Sequence, residues 1–156
     1  MRTLFSLVLA LCLAAPAHAA SADDAAIRQL VQQFQAAIVA HDGKTLGSLF
    51  VKEGGSWWSV LDEPTYAAAK ARNPDAQRLA PSTWQEFAES VTHSARPIEE
   101  RFYDVRVRTN GTVASVWFDF DFLADGKVTN RGSETWQLVR TDDGWKIVAM
   151  LYSVHQ

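Results

Sequence analysis

Cysteine is nearly absent: the 156-residue chain has one, Cys12, close to its N-terminus. That excludes a disulfide framework and a cysteine-built metal site. No apolar run reaches the roughly 20 residues that a helix needs to cross a bilayer; the run from Leu4 to Ala15 covers about 12. Positive charge is scarce too, with 15 Lys and Arg against 18 Asp and Glu and no basic cluster. A chain of net charge −3 built this way lacks the electrostatic footprint of nucleic-acid binding. Metal-site spacing of histidines and acids, a Gly-rich phosphate loop and a nucleophile elbow are all missing, so the motifs imply no metal and no cofactor.

What the N-terminus does have is the layout of a secretion signal. Arg2 precedes the apolar run, and Pro16-Ala17-His18-Ala19-Ala20 supplies an A-x-A site with cleavage after Ala19. The run is too short for a retained anchor, and Leu11 before Cys12 is the wrong residue for lipid attachment. Residues 1–19 are therefore expected to be a cleaved signal peptide. The mature chain, residues 20–156, is then periplasmic or secreted, with no membrane attachment and no cysteine. Loss of Arg2 leaves 14 basic against 18 acidic residues, a net charge of −4. A chain of that length fits one domain that buries most of its apolar surface without staples.

Ile27, Leu30, Val31, Phe34, Ala37 and Ile38 recur at three- and four-residue steps, which predicts an amphipathic helix capped by Asp23 or Ser21. His41-Asp42-Gly43 breaks it, and Asp42 is suited to cap a short second helix carrying Leu46, Leu49 and Phe50. Ser56 to Leu61 reads as a strand, and Asp62-Glu63-Pro64 starts a brief helix that Asn73-Pro74 ends. The stretch from Asp62 to Pro81 is a surface connection or a lid. Ser82 to Ala95 reads as a helix with a Thr83/Glu86 capping box and an inner face of Trp84, Phe87, Ala88, Val91 and Ala95. Four alternating segments follow, 98–108, 112–123, 127–140 and 145–154, separated by Asn110-Gly111, Asp125-Gly126 and Asp143-Gly144, so an antiparallel meander is expected.

Placing the turns symmetrically pairs Thr109 with Thr112, Ala124 with Lys127 and Val139 with Lys146. Alternation then puts Val105, Val107, Val116, Phe118, Phe120, Phe122, Met150, Tyr152 and Val154 on a helix-covered face, together with Glu99, Arg101, Tyr103, Arg131, Ser133 and Thr135. The other face receives Asp104, Asp119, Asp121, Asn130 and Glu134 with Phe102, Trp117, Trp136, Ile147 and Leu151. Arg101 and Arg131 both flank Phe120 in this register. Either Arg101 pairs with Glu99 at the rim while Arg131 reaches solvent, or the two guanidinium groups wall a pocket for an acidic or carbonyl-bearing molecule. On the second reading the ligand-binding residues are Arg101, Arg131, Tyr103, Tyr152 and one of Trp57 and Trp58.

The order of helices, the aromatic strand at Trp57-Trp58, and the meander closing in Glu134-Thr135-Trp136-Gln137-Leu138-Val139 and Gly144-Trp145-Lys146-Ile147-Val148 resemble the SnoaL-like branch of the nuclear-transport-factor-two-like superfamily. The resemblance covers nearly the whole mature chain. It implies an α+β cone in which a curved antiparallel sheet wraps three N-terminal helices around a central pocket, commonly as a homodimer. It also implies acid–base chemistry where a member is an enzyme, through an Asp or His assisted by a Tyr. His41 ends the first helix, His93 lies off the apolar face and His155 is penultimate, so none stands out. Asp119 and Asp121 alternate away from the phenylalanines around them, and a bulge would reverse that. Three functions stay open: a small-molecule binding domain, an isomerase, dehydratase or hydrolase of the same fold, and a ligand-free dimeric module working through Trp117, Trp136, Ile147 and Leu151.

Overall fold

A computed structural model describes residues 16–155. The apolar run Leu4–Ala15 of the expected signal lies outside the described residues. Helix α1 (Pro16–Val39) begins ahead of the expected Asp23 and buries Ile27, Leu30, Val31, Phe34, Ala37 and Ile38, the stripe that the three- and four-residue spacing defines. Asp23 is no helix cap. Its carboxylate is turned into the fold, where Arg140 Nη1 and Trp145 Nε1 donate to it.

Asp42 caps α2 (Gly43–Ser48) by accepting from the Thr45 amide at 2.9 Å, and Leu46, Leu49 and Phe50 pack inward at and just past its end. Gly43 is there for closeness: a Cβ on it would sit 2.2 Å from the Ala88 carbonyl oxygen of α4. Strand β1 (Ser56–Leu61) follows, then α3 (Glu63–Arg72), capped by Asp62, and a short strand β2 (Leu79–Pro81) that the sequence did not announce. Helix α4 (Trp84–Thr92) opens with the Thr83/Glu86 capping box and buries Ala88 and Val91. It stops before Ala95, which is exposed.

The meander is β3 (Ile98–Thr109), β4 (Val113–Ala124), β5 (Lys127–Thr141) and β6 (Gly144–Val154). The six strands form one sheet in the order β2-β1-β6-β5-β4-β3, antiparallel except for β1 beside β6. With the N-terminal helices packed on its inner face, this is the α+β cone. Its core joins Phe34 of α1 to Trp136, 4.8 Å between ring centroids, and Phe102 to Phe118 at 4.1 Å.

Three register shifts decide which side chains enter that core. Between Tyr103 and Arg106 the β3–β4 pairing slips, with Asp104 in the left-handed region at φ 52°. The pairing of β4 with β5 slips between Phe122 and Leu123, and that of β5 with β6 between Gln137 and Leu138. Side chains alternate with period two, so each extra residue turns the rest of the strand over. Phe102 and not Arg101 therefore stands opposite Phe120, and Arg131 stands opposite Asp121. Trp136 and Ile147, expected on the outer face, are 0% and 1% exposed. Thr109 pairs with Ala114 rather than Thr112, a two-residue difference that leaves the faces unchanged.

Candidate functional site

The rows of inward side chains that these bulges create enclose a cavity of about 150 Å³ under α1 and α4. Phe34, Trp57, Phe120 and Met150 form its buried floor with two carboxyls, Glu100 and Glu134. Half-buried Phe87, Phe122, Asn130 and Tyr152 stand nearer solvent. Cross-strand pairing sets these positions: Glu100 lies opposite Phe122, which lies opposite Asn130, while Phe118 lies opposite Glu134, which lies opposite Tyr152. Trp57 enters beside Met150, its partner across the parallel β1–β6 pair.

The two glutamates are 7% and 4% exposed. A carboxylate is expensive to remove from water, so burial holds Glu100 well above the usual carboxylate range, and the charge of Glu134 opposes its ionisation further. Burial pushes Glu134 up to about 8, while the Trp136 indole, donating to Glu134 Oε1, pulls the other way. Burial thus favours the neutral acid form of both groups, each with a proton to give and oxygens to accept one. Burial also raises the Tyr152 hydroxyl; the nearby Trp57 indole N–H lowers it in part, although that N–H makes no hydrogen bond of acceptable geometry. α1 steadies the wall from behind, since Gln35 Nε2 donates to the Glu100 carbonyl oxygen at 3.0 Å.

Of the residues expected to bind ligand, Tyr152 and Trp57 line this cavity and four do not. Arg101 is on the outer face, forked onto Glu99 with Nε–Oε1 at 2.8 Å and Nη2–Oε2 at 2.9 Å, which holds Glu99 below the usual carboxylate range. Arg131 is exposed and pairs with Asp121 at 3.5 Å. The Tyr103 hydroxyl also donates to Asp121, at 3.2 Å, and Trp58 points outward, 36% exposed. The one-residue slips at Asp104 and at Phe122/Leu123 exchanged Arg101 and Arg131 for their neighbours. Asp119 keeps its outward place, accepting from Ser133 Oγ, and no residue from 62 to 81 lines the cavity, which removes the ground for a lid. Sequence reasoning passed over Glu100 and placed Glu134 outside. Each stands two residues before an aromatic, Phe102 and Trp136, whose inward direction the bulges decided, so no signal in the sequence marked them.

A second crevice, of about 60 Å³, runs between β1 and the start of α4 past Ser56, Ser82, Thr83 and Trp84, and no titratable side chain lines it. Among the described residues no group of His, Cys, Asp or Glu is placed to hold a metal ion.

Residues 27–155 match the family described as the SnoaL-like domain. The chain belongs to the SnoaL-like domain family. No curated protein matches it in sequence. Among solved structures, this SnoaL-like chain is similar to an NTF2-like protein of unknown function from Shewanella baltica, with TM-score 0.61 and 16% identity over 87% of this chain and 96% of that one. It is also similar to a candidate scytalone dehydratase from Novosphingobium aromaticivorans, with TM-score 0.66 and 13% identity over 89% and 88%. A candidate dehydratase of the NTF2-like family from Streptomyces avermitilis gives TM-score 0.61 and 20% identity over 87% and 98%. At these identities the likeness establishes the NTF2-like cone with its cystatin-like fold, which further relatives share.

Proposed function

We propose that this SnoaL-like chain is an exported domain that takes a small organic molecule into the cone and exchanges a proton with it through Glu100 and Glu134. The observation that carries the reading is the burial of two carboxyls with raised pKa in an aromatic cavity, an arrangement that favours acid–base work near neutral pH. Some structural relatives are named as dehydratases, which is chemistry of this class. A volume of about 150 Å³ suits a molecule near the size of one six-membered ring. With Arg101 and Arg131 outside, an anion finds no countercharge and meets two acids, so the acidic ligand gives way to uncharged or cationic ones.

A thermal-shift screen of small anionic, uncharged and cationic compounds tests this, because a ligand of the folded state raises the melting temperature. Non-anionic compounds should shift the wild type and Arg101→Ala equally and shift Glu134→Gln less. Deuterium uptake from D2O into a bound compound, followed by NMR, should be lost in Glu134→Gln. Shifts produced only by acids and abolished in Arg101→Ala would reverse the assignment.

The homodimer stays part of the reading, on a revised surface. Trp117, Thr135, Leu151 and Trp58 form one cross-strand row on the outer face, and the three large side chains in it are 47%, 45% and 36% exposed. An apolar row of this kind on a sheet face suits burial against a second copy.

A further inference from the structure

We propose that the molecule the cone accepts is a small organic cation, an amine or a quaternary ammonium compound. The inference rests on reading the cone as a binding pocket and adds the charge of its occupant. Six rings line the cavity, those of Phe34, Trp57, Phe87, Phe120, Phe122 and Tyr152. A ring face carries partial negative charge, so a desolvated cation is attracted to several such faces at once.

The second observation is independent of the rings. Glu100 is 93% buried, being 7% exposed, yet among the described residues no hydrogen bond or ion pair reaches its carboxyl; the bond from Gln35 ends on its backbone oxygen. Buried acids in folded proteins are ordinarily paired. Glu134 has only the Trp136 indole. The titratable groups that face Glu100 across the cavity are Glu134 from β5 and Tyr152 from β6. α1, α4 and β1 contribute Phe34, Phe87 and Trp57, and no Lys, Arg or His lines the space. The site thus has two acids and no countercharge, and a cation supplies it. When it enters, a carboxyl loses its proton to solvent and the carboxylate that remains pairs with the ligand. An uncharged guest would leave the proton in place, and an anion would find no countercharge.

Isothermal titration calorimetry on the mature protein with tetramethylammonium chloride tests this, with sodium chloride as the ionic control and tert-butanol as the uncharged counterpart. Tetramethylammonium should bind at least tenfold more tightly at pH 9 than at pH 6. In buffers of different ionisation enthalpy at pH 7, binding should release protons. Glu100→Gln, which mimics the protonated acid, should weaken binding at least tenfold, and the double variant Glu100→Gln/Glu134→Gln should abolish the release. Tert-butanol binding as tightly as tetramethylammonium, or an affinity for the cation that is flat or falling with pH, overturns the inference while leaving the pocket reading intact. If neither probe binds, the cation assignment also fails, and the fragment screen above decides the pocket on its own.

Discussion

Asp23 of α1 and Arg140 of β5, 117 positions apart in the chain, form a partly buried ion pair, with the Arg140 guanidinium lying over the Trp145 ring at 5.7 Å. Trp145 Nε1 donates to the same Asp23 oxygen at 3.4 Å. One carboxylate therefore closes the first helix onto the last hairpin. Asp23→Ala leaves a buried indole N–H and a guanidinium without their acceptor, and an orphaned buried donor costs about 1–3 kcal/mol. The melting temperature should fall by several degrees, and an unchanged urea midpoint would show that the contact contributes nothing.

Stability should fall as pH rises. Below the ordinary glutamate pKa of 4.5, folded and unfolded chains both keep the Glu134 proton. Between 4.5 and about 8 the folded state holds a proton that the unfolded state has released, so folding loses ground with each unit of pH. Above about 8 the loss from this group is complete and amounts to on the order of a few kcal/mol. Glu134→Gln should flatten this slope and be more stable than the wild type at pH 9. Urea denaturation at pH 5, 7 and 9 measures it; parallel curves for the two proteins would place the glutamate in contact with water.

Asp104 holds the bulge that turns β3 over, at φ 52°. A left-handed conformation costs most residues roughly 1–2 kcal/mol, is worse for β-branched ones and is free for glycine. Asp104→Gly should therefore fold at least as stably as the wild type, whereas Asp104→Val should lower the melting temperature. Equal stability of the two variants by calorimetry would mean that the bulge is not anchored at this residue.

The proposed dimer separates buried from exposed aromatic positions. Leu151→Glu changes an exposed residue and should yield a folded monomer, while Trp136→Glu puts a charge into the core and should prevent folding. Sedimentation at micromolar concentration reads the first, and circular dichroism the second. A wild type that sediments as a monomer removes the proposal.

Intact-mass analysis of exported material should find a chain beginning at Ala20, without lipid. Asp23 would then be the fourth residue of the mature protein, in the first turn of the shortened helix, where negative charge is favoured. A mass that retains Met1, or a lipid adduct on Cys12, contradicts the expected processing.

The sequence by itself determined the elements other than β2. Asp42, Asp62, Thr83 with Glu86, and the three turns at Gly111, Gly126 and Gly144 act through bonds to near neighbours or through their own backbone, so their roles could be read from spacing alone. The apolar stripe of α1 and the aromatic alternation of β4 were legible for the same reason, since periodicity is a local property. Only the tertiary structure decided which face of β3, β5 and β6 looks inward. Alternation carries a face along a strand only while the register is unbroken, and it broke at Asp104, at Phe122/Leu123 and at Gln137/Leu138. Each break is a matter of how a curved sheet closes on its helices, and no single strand encodes it without its partner. Arg101 and Arg131 went out to solvent for that reason, and Glu100 and Glu134 came in to make the site.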